Sequence, residues 1–186
     1  MELKTSIIGH VHAAWKDTGE VVVDKKNAIH KKNMAIALAR GLANENNHQI
    51  YKMVFGNGGT YVEVGASGSG SAQYHYNPPK VNETDSDIYN PTYAEIIDDV
   101  ETSSNGNQVV SSTGTVASTS LVICTCTLSA PEPAGQNATD NNATSPENVD
   151  INGSFTDAQF AFDEIGLKTS DNNDPLNLLT GGLLLS

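Results

Sequence analysis

The sequence predicts a mainly β fold (α+β), with β-sandwich-like antiparallel sheets, one short helix near residues 28–44 and long extended loops. Three observations predict it. Runs of β-branched and aromatic residues, several of them alternating, recur between clusters of Gly, Asn, Asp and Ser. Helical periodicity occurs once, in "DKKNAIHKKNMAIALARGLANENN". Polar stretches too poor in apolar side chains to form a core separate the later runs. A chain of 186 residues at 38% hydrophobic composition supports one core, so 1–186 reads as a single β-rich structural domain.

The first two runs, "TSIIGHVHAAW" and "GEVVVD", are joined by Lys16-Asp17-Thr18-Gly19. Asp and Gly suit a tight reversal, and the pair reads as a hairpin. Beyond it, Met34, Ala35, Leu38, Ala39 and Leu42 recur at three- and four-residue spacing, which places one apolar stripe on a helix. Lys31, Lys32 and Arg40 lie off that stripe, and "GLANENN" ends the helix because Gly and Asn favour caps and turns. "IYKMVFGNGGTYVEV" reads as two strands about Asn57-Gly58-Gly59, a hairpin signal, followed by the flexible loop "GASGSGS".

Residues 77–107 carry three prolines and one short apolar run, which predicts an extended arm over about 77–91 and a strand near 92–99. Arms of this kind are held by something else. "QVVSSTG" and "TVASTSLVICTCTL" follow as β-runs, the second placing Val122, Cys124, Cys126 and Leu128 on one face. Residues 129–153 form a long polar loop, a length that points to function, disorder or contact with another chain. Alternation returns through Phe160 and Phe162 as a final buried strand, and the chain closes on "LNLLTGGLLLS". The predicted core comprises Ile8, Val22, Met34, Leu38, Leu42, Val54, Val122, Ile123, Cys124, Phe160 and Phe162.

The net charge of -12 opposes a polyanionic partner, because phosphate contacts need clustered cations, so nucleic-acid binding is not expected. Charge is uneven: residues 1–52 hold 8 Lys/Arg against 5 Asp/Glu, residues 53–80 one of each, and residues 81–186 hold 1 against 16. The two ends are complementary, which serves packing within one chain or joins the basic face of one copy to the acidic face of the next; solvated faces of a soluble domain are the plainer alternative. The start has no apolar stretch of signal-peptide length and no run reaches a membrane span, so the protein is expected to be made and kept in a cytoplasm. The Asn-x-Ser/Thr matches at Asn82, Asn137, Asn142 and Asn152 are matches expected by chance in so Asn- and Thr-rich a chain.

No catalytic or cofactor-binding motif is present. His10 and His12 lie two apart on a β-run and share a face as metal ligands do, but two ligands do not make a site and no acidic or Cys partner stands at recognisable spacing. Cys124 and Cys126 share a face in one strand, where adjacent positions do not close a bridge; they read as buried free thiols, with a disulfide to a neighbouring subunit and a soft-metal site as alternatives. Asp150-x-Asn152-x-Ser154 imitates the opening of a calcium loop, yet Phe155 replaces its Gly and Ala161 its bidentate Glu. "GNGG" and "GASGSGS" lack the Lys-Ser/Thr and the following helix of a phosphate loop, and no Ser or Cys sits on a nucleophile turn.

"GHVHAAWKDTGEVVVDKKNAIHKKNMAIALARGLAN" followed by "IYKMVFGNGGT" resembles the N-terminal half of a family of virion structural proteins from tailed bacteriophages. The matching residues are Val23, Asp24, Lys25, Asn27, Ala28, Ile29 and His30, then Phe55, Gly56, Asn57, Gly58 and Gly59. "DIYNPTYAEIIDD", "PAGQNA" and "FDEIGLK" also fit, so the resemblance covers most of the chain in discontinuous blocks. It implies a non-enzymatic particle component, without fixing its position. Relatives continue past the Leu-rich end with one or two further strands, so either the sequence is truncated at Ser186 or its last segment finds strand partners in another subunit.

The leading expectation is a structural subunit of the neck or collar, tail or baseplate, forming a symmetric homo-oligomer and binding other virion proteins, without nucleic acid or membrane. A capsid decoration (cement) protein is the alternative, a receptor- or glycan-binding fibre sandwich a second, and an envelope hydrolase a third. The expected interface residues are Lys31, Lys32 and Arg40, which face an acidic neighbour, and Leu178, Leu179, Leu183, Leu184 and Leu185. With Leu176 these leucines crowd the last eleven residues and form an exposed patch unless covered. Strand addition by another subunit is the expected cover, and loss of 176–186 is expected to spare the β-core. On the same view, 77–91 and 129–153 are ordered only by neighbours.

Overall fold

The computed structural model describes residues 6–45, 48–56, 58, 60–63, 73–76, 82, 85, 87–89, 91–97, 107–113, 119–128, 162–169 and 183–186. Among the described residues the chain is mainly β with one short helix, and its sheets are antiparallel, as the sequence predicts. Its elements are β1 (Gly9–Ala14), β2 (Val21–Asn27), α1 (Lys31–Leu42), β3 (Ile50–Gly56), β4 (Thr60–Glu63), β5 (Gln73–Tyr76), β6 (Pro91–Ile96), β7 (Gln108–Thr113), β8 (Ser120–Thr125), β9 (Glu164–Thr169) and β10 (Leu183–Leu185).

The central sheet has the order β10-β9-β3-β6. Val54 sits opposite Ala94 on one side and Gly166 on the other, and these positions lie in phase with Lys52 and Lys168. Val54, Ala94, Ile88 and Leu183 form the buried cluster on that face. The opposite phase carries Phe55, whose ring lies 6.1 Å from Tyr93 and 5.2 Å from Phe162. Pro91, which has no N–H to give a ladder, begins β6.

The sheet extends by one partial strand that no sequence pattern announces. Ala28 and Ser186 exchange both backbone hydrogen bonds, at 3.0 and 3.3 Å, and the N–H of His30 donates to the carbonyl of Leu184 at 3.1 Å. Residues 28–30 therefore pair with β10 where a helical start was expected, and α1 begins at Lys31. The helix ends through Ala43 and Asn44, the latter at φ 59, a conformation that Asn tolerates better than most residues.

The remaining strands form three two-stranded sheets, β1-β2, β4-β5 and β7-β8. In the first, Gly19 adopts φ 71 and donates its N–H to the Trp15 carbonyl, which closes the reversal expected at Asp17 to Gly19. The hairpin expected about Asn57-Gly58-Gly59 does not form. β3 pairs with β6 and β9, whereas β4 pairs with β5, a strand the polar composition of "QYHY" concealed. Two sequence-adjacent β-runs compete for partners, and β3, apolar on both phases, takes the central position where both of its faces are covered.

Packing departs from the predicted core in a consistent direction. Val54 is buried, and Met34, Cys124 and Phe162 are half-buried, but Ile8, Val22, Leu38, Leu42, Val122 and Ile123 are exposed, Leu42 at 89%. Phe160 lies outside the described residues. The exposed six belong to α1, to the ribbons β1-β2 and β7-β8, and to the segment before β1, where amphipathic periodicity is present without an opposing element among the described residues. The helix buries Ala37, with Asn33 half-buried one turn earlier, so it turns a small and polar edge inward and the Leu38/Leu42 stripe outward.

The expectation for the C-terminal leucines is corrected in the same way. Leu183 and Leu184 are buried within their own chain, because β10 lies between β9 and residues 28–30 and satisfies its backbone on both sides. Leu185 is in β10, and Leu176, Leu178 and Leu179 lie outside the described residues. Removing 176–186 strips a core strand, so the β-core is not expected to survive that deletion.

Candidate functional site

Asn82, Asp85 and residues 87–89 form a strap on the buried face of the central sheet. Asn82 accepts from Nδ1 of His30 at 2.8 Å through its carbonyl, and the Asp85 carbonyl accepts from Nδ2 of Asn33 at 2.8 Å. Nδ2 of Asn33 also donates to the Leu183 carbonyl at 2.8 Å. Ile88 enters the apolar cluster, while the N–H groups of Tyr89 and Gly58 donate to the two carboxylate oxygens of Glu164, each at 2.9 Å. The described part of the arm is thus held by its own chain, correcting the expectation that only neighbours order it. The loop 129–153 lies outside the described residues.

Lys168 and Asp87 form the charged centre of this junction. Lys168 is fully buried and its Nζ lies 2.8 Å from Oδ2 of Asp87. Loss of hydration on burial holds the lysine pKa below its ordinary value, opposed by the charge and hydrogen bond of Asp87. Lys52, its cross-strand neighbour, is also buried. Lys52 shares its phase with Ile50 and Val54 in "IYKMVFG", a signal masked because Lys is among the residues least often buried. Lys168 shares its phase with Glu164 and Gly166 in "EIGLKT", so nothing local in the sequence announces its burial.

The outer surface has a different character. Among the described residues, Ile7, Ile8, Trp15, Val21, Val22, Ile36, Leu38, Leu42, Val110, Leu121, Val122 and Ile123 are exposed, spread over α1, the β7-β8 ribbon, and β1-β2 with its flanks. Isolated two-stranded ribbons are marginal in water, and these two carry apolar side chains on accessible faces. Lys31 and Lys32 are exposed on α1, while Nε of Arg40 lies 3.8 Å from Oε2 of Glu45, so an acidic group of the same chain already meets it.

His10 and His12 share the exposed face of β1, and the structure supplies the acidic partner that their spacing did not reveal. Asp24 of β2 stands opposite His12, with its Oδ1 3.0 Å from Nε2 of His10 and 3.9 Å from Nδ1 of His12. Among the described residues no group of three or more His, Cys, Asp or Glu side chains is arranged to hold a metal ion, and this trio reads as a polar cluster on the surface. Asp150 and Asn152 lie outside the described residues. Cys124 and Cys126 are half-buried thiols that form no disulfide. No helix among the described residues is long and apolar enough to cross a membrane. Comparison of the chain with family models, with curated proteins and with solved structures returned no match.

Proposed function

We propose that this chain is a non-enzymatic structural subunit of a tailed-bacteriophage virion, placed in the neck or collar, tail or baseplate, where copies of it associate with one another and with other virion proteins. The sequence resemblance supplies the class. One structural observation supports an assembly role: large hydrophobic side chains on α1 and on two ribbons face solvent, while the core beneath the strap is closed by the chain itself. A monomer gains nothing from that arrangement, whereas a neighbour that covers the ribbons removes apolar surface at roughly 25 cal/mol per Å². Lys31 and Lys32 lie beside the exposed Leu38/Leu42 stripe and suit an acidic neighbour; Asp and Glu dominate residues 81–186 of a second copy.

Mass spectrometry of purified virions, with copy number per particle, tests this reading. Six or twelve copies, the counts that ring symmetries of the neck and tail generate, are expected on the order of the particle's own symmetry. Hundreds of copies transfer the protein to capsid decoration, and its absence from purified particles removes the virion reading altogether.

A further inference from the structure

We propose that Lys168 and Asp87 are the two halves of a self-formed intramolecular amide that ties the strap at residues 87–89 covalently to β9. This does not depend on the assembly reading; it rests on three features of the junction.

The amine and the carboxyl are already in contact, with Nζ 2.8 Å from Oδ2, and the lysine is fully buried. With the lysine out of water and the Asp87 side chain only 18% exposed, moving one proton from the ammonium to Oδ2 removes two charges at once. Burial already favours the neutral amine. The carboxyl is also oriented. Its other oxygen, Oδ1, accepts the N–H of Ile88 at 2.9 Å, which places a fixed backbone donor where negative charge develops when Nζ attacks Cγ. Finally, an open depression of about 260 Å³ lined by Asp85, Asp87, Ile88 and Tyr89 gives a leaving water a route to solvent.

The step balances without a cofactor or oxidant. The ammonium passes one proton to Oδ2, and the resulting amine attacks Cγ of the neutral carboxyl to form the Nζ–Cγ bond. Collapse of the tetrahedral intermediate breaks Cγ–Oδ2, and the departing hydroxyl takes a second proton from Nζ. One water leaves and one hydrogen stays on the amide nitrogen. Proximity carries the reaction, since two groups held in reacting geometry behave as if at very high effective concentration.

Loss of stability on substitution does not separate this bond from a plain ion pair, because breaking either leaves a buried charge or polar group. Mass does. The purified full chain is expected to be lighter than its sequence by one water, about 18 Da. Protease digestion is expected to release a branched peptide containing both Asp87 and Lys168. Lys168→Ala and Asp87→Ala proteins are expected at full mass, and an Asp87→Asn protein is expected to lose one ammonia when it forms the same amide. A wild-type chain at full mass, with Asp87 and Lys168 recovered in separate linear peptides, overturns the proposal. A water loss that maps to a linear peptide, as a succinimide produces, overturns it equally.

Discussion

Nε2 of His30 lies 2.7 Å from Oγ of Ser186, joining the start of the helix to a residue 156 positions further along the chain. The other ring nitrogen faces the carbonyl of Asn82, which only accepts, so Nδ1 donates to it, while the Ser186 hydroxyl, able to donate or accept, satisfies Nε2. One imidazole thus closes the strap, the helix start and the last sheet strand together. His30→Leu leaves the Asn82 carbonyl and the Ser186 hydroxyl without this partner and is expected to cost about 1–3 kcal/mol in urea denaturation, with Ser186→Ala costing about 1. A His30→Leu protein as stable as wild type would remove the imidazole from the core.

The two leucines of opposite fate give a second prediction. Leu183 is fully buried in the cluster with Val54 and Ile88, so Leu183→Ala is expected to cost about 2–5 kcal/mol. Leu42 is 89% exposed, and Leu42→Ala is expected within about 0.5 kcal/mol of wild type in the isolated chain. Denaturant midpoints for the two variants, measured at concentrations where the protein does not associate, distinguish this packing from one in which the helix stripe faces the sheet.

A pH signature separates the amide from the ion pair. As an ionic group, Lys168 has a native pKa lowered by burial, so between that value and 10.5 the unfolded state binds more protons than the folded one. Stability then rises with pH through that window, and the penalty for burying the ammonium is fully present below it. An amide nitrogen does not titrate. The difference in unfolding free energy between wild type and Lys168→Met is therefore expected to stay constant from neutral pH to 10.5, and an increase with pH marks an uncondensed pair.

The exposed ribbons yield a fourth prediction. Trp15 and Leu121 lie on different two-stranded sheets or their flanks and both face solvent. The double change Trp15→Ser and Leu121→Ser is expected to weaken self-association at least tenfold, about 1.4 kcal/mol, with the unfolding midpoint of the monomer unchanged. Light scattering across a concentration series reads the first quantity and circular dichroism the second. Unaltered association would move the interface away from both ribbons.

Strand and helix existence was legible because it depends on neighbours in sequence. The alternation in "GHVHAA" and "SLVICT", the reversal at Gly19 and the single run of helical spacing after Asp24 each carry their own local signal, and each corresponds to an element of the fold. The junction was not legible. Nothing near His30, Asn33, Asp87 or Lys168 announces partners dozens of residues away, and an inward-phase lysine is hidden by the ordinary rule that lysines face water.

By itself, then, the sequence determined the fold class, the antiparallel habit of the strands and which side of each element is apolar, since periodicity is a property of a few consecutive residues. Only the tertiary structure decided which apolar sides are covered. β3 chose β6 and β9 over its neighbour β4, and β10 filled the slot beside Ala28 within its own chain. Leu38 and Leu42 were left in water. Burial is a contest among distant segments for a limited number of faces, and its outcome depends on the free energy of the whole arrangement, which no local pattern contains.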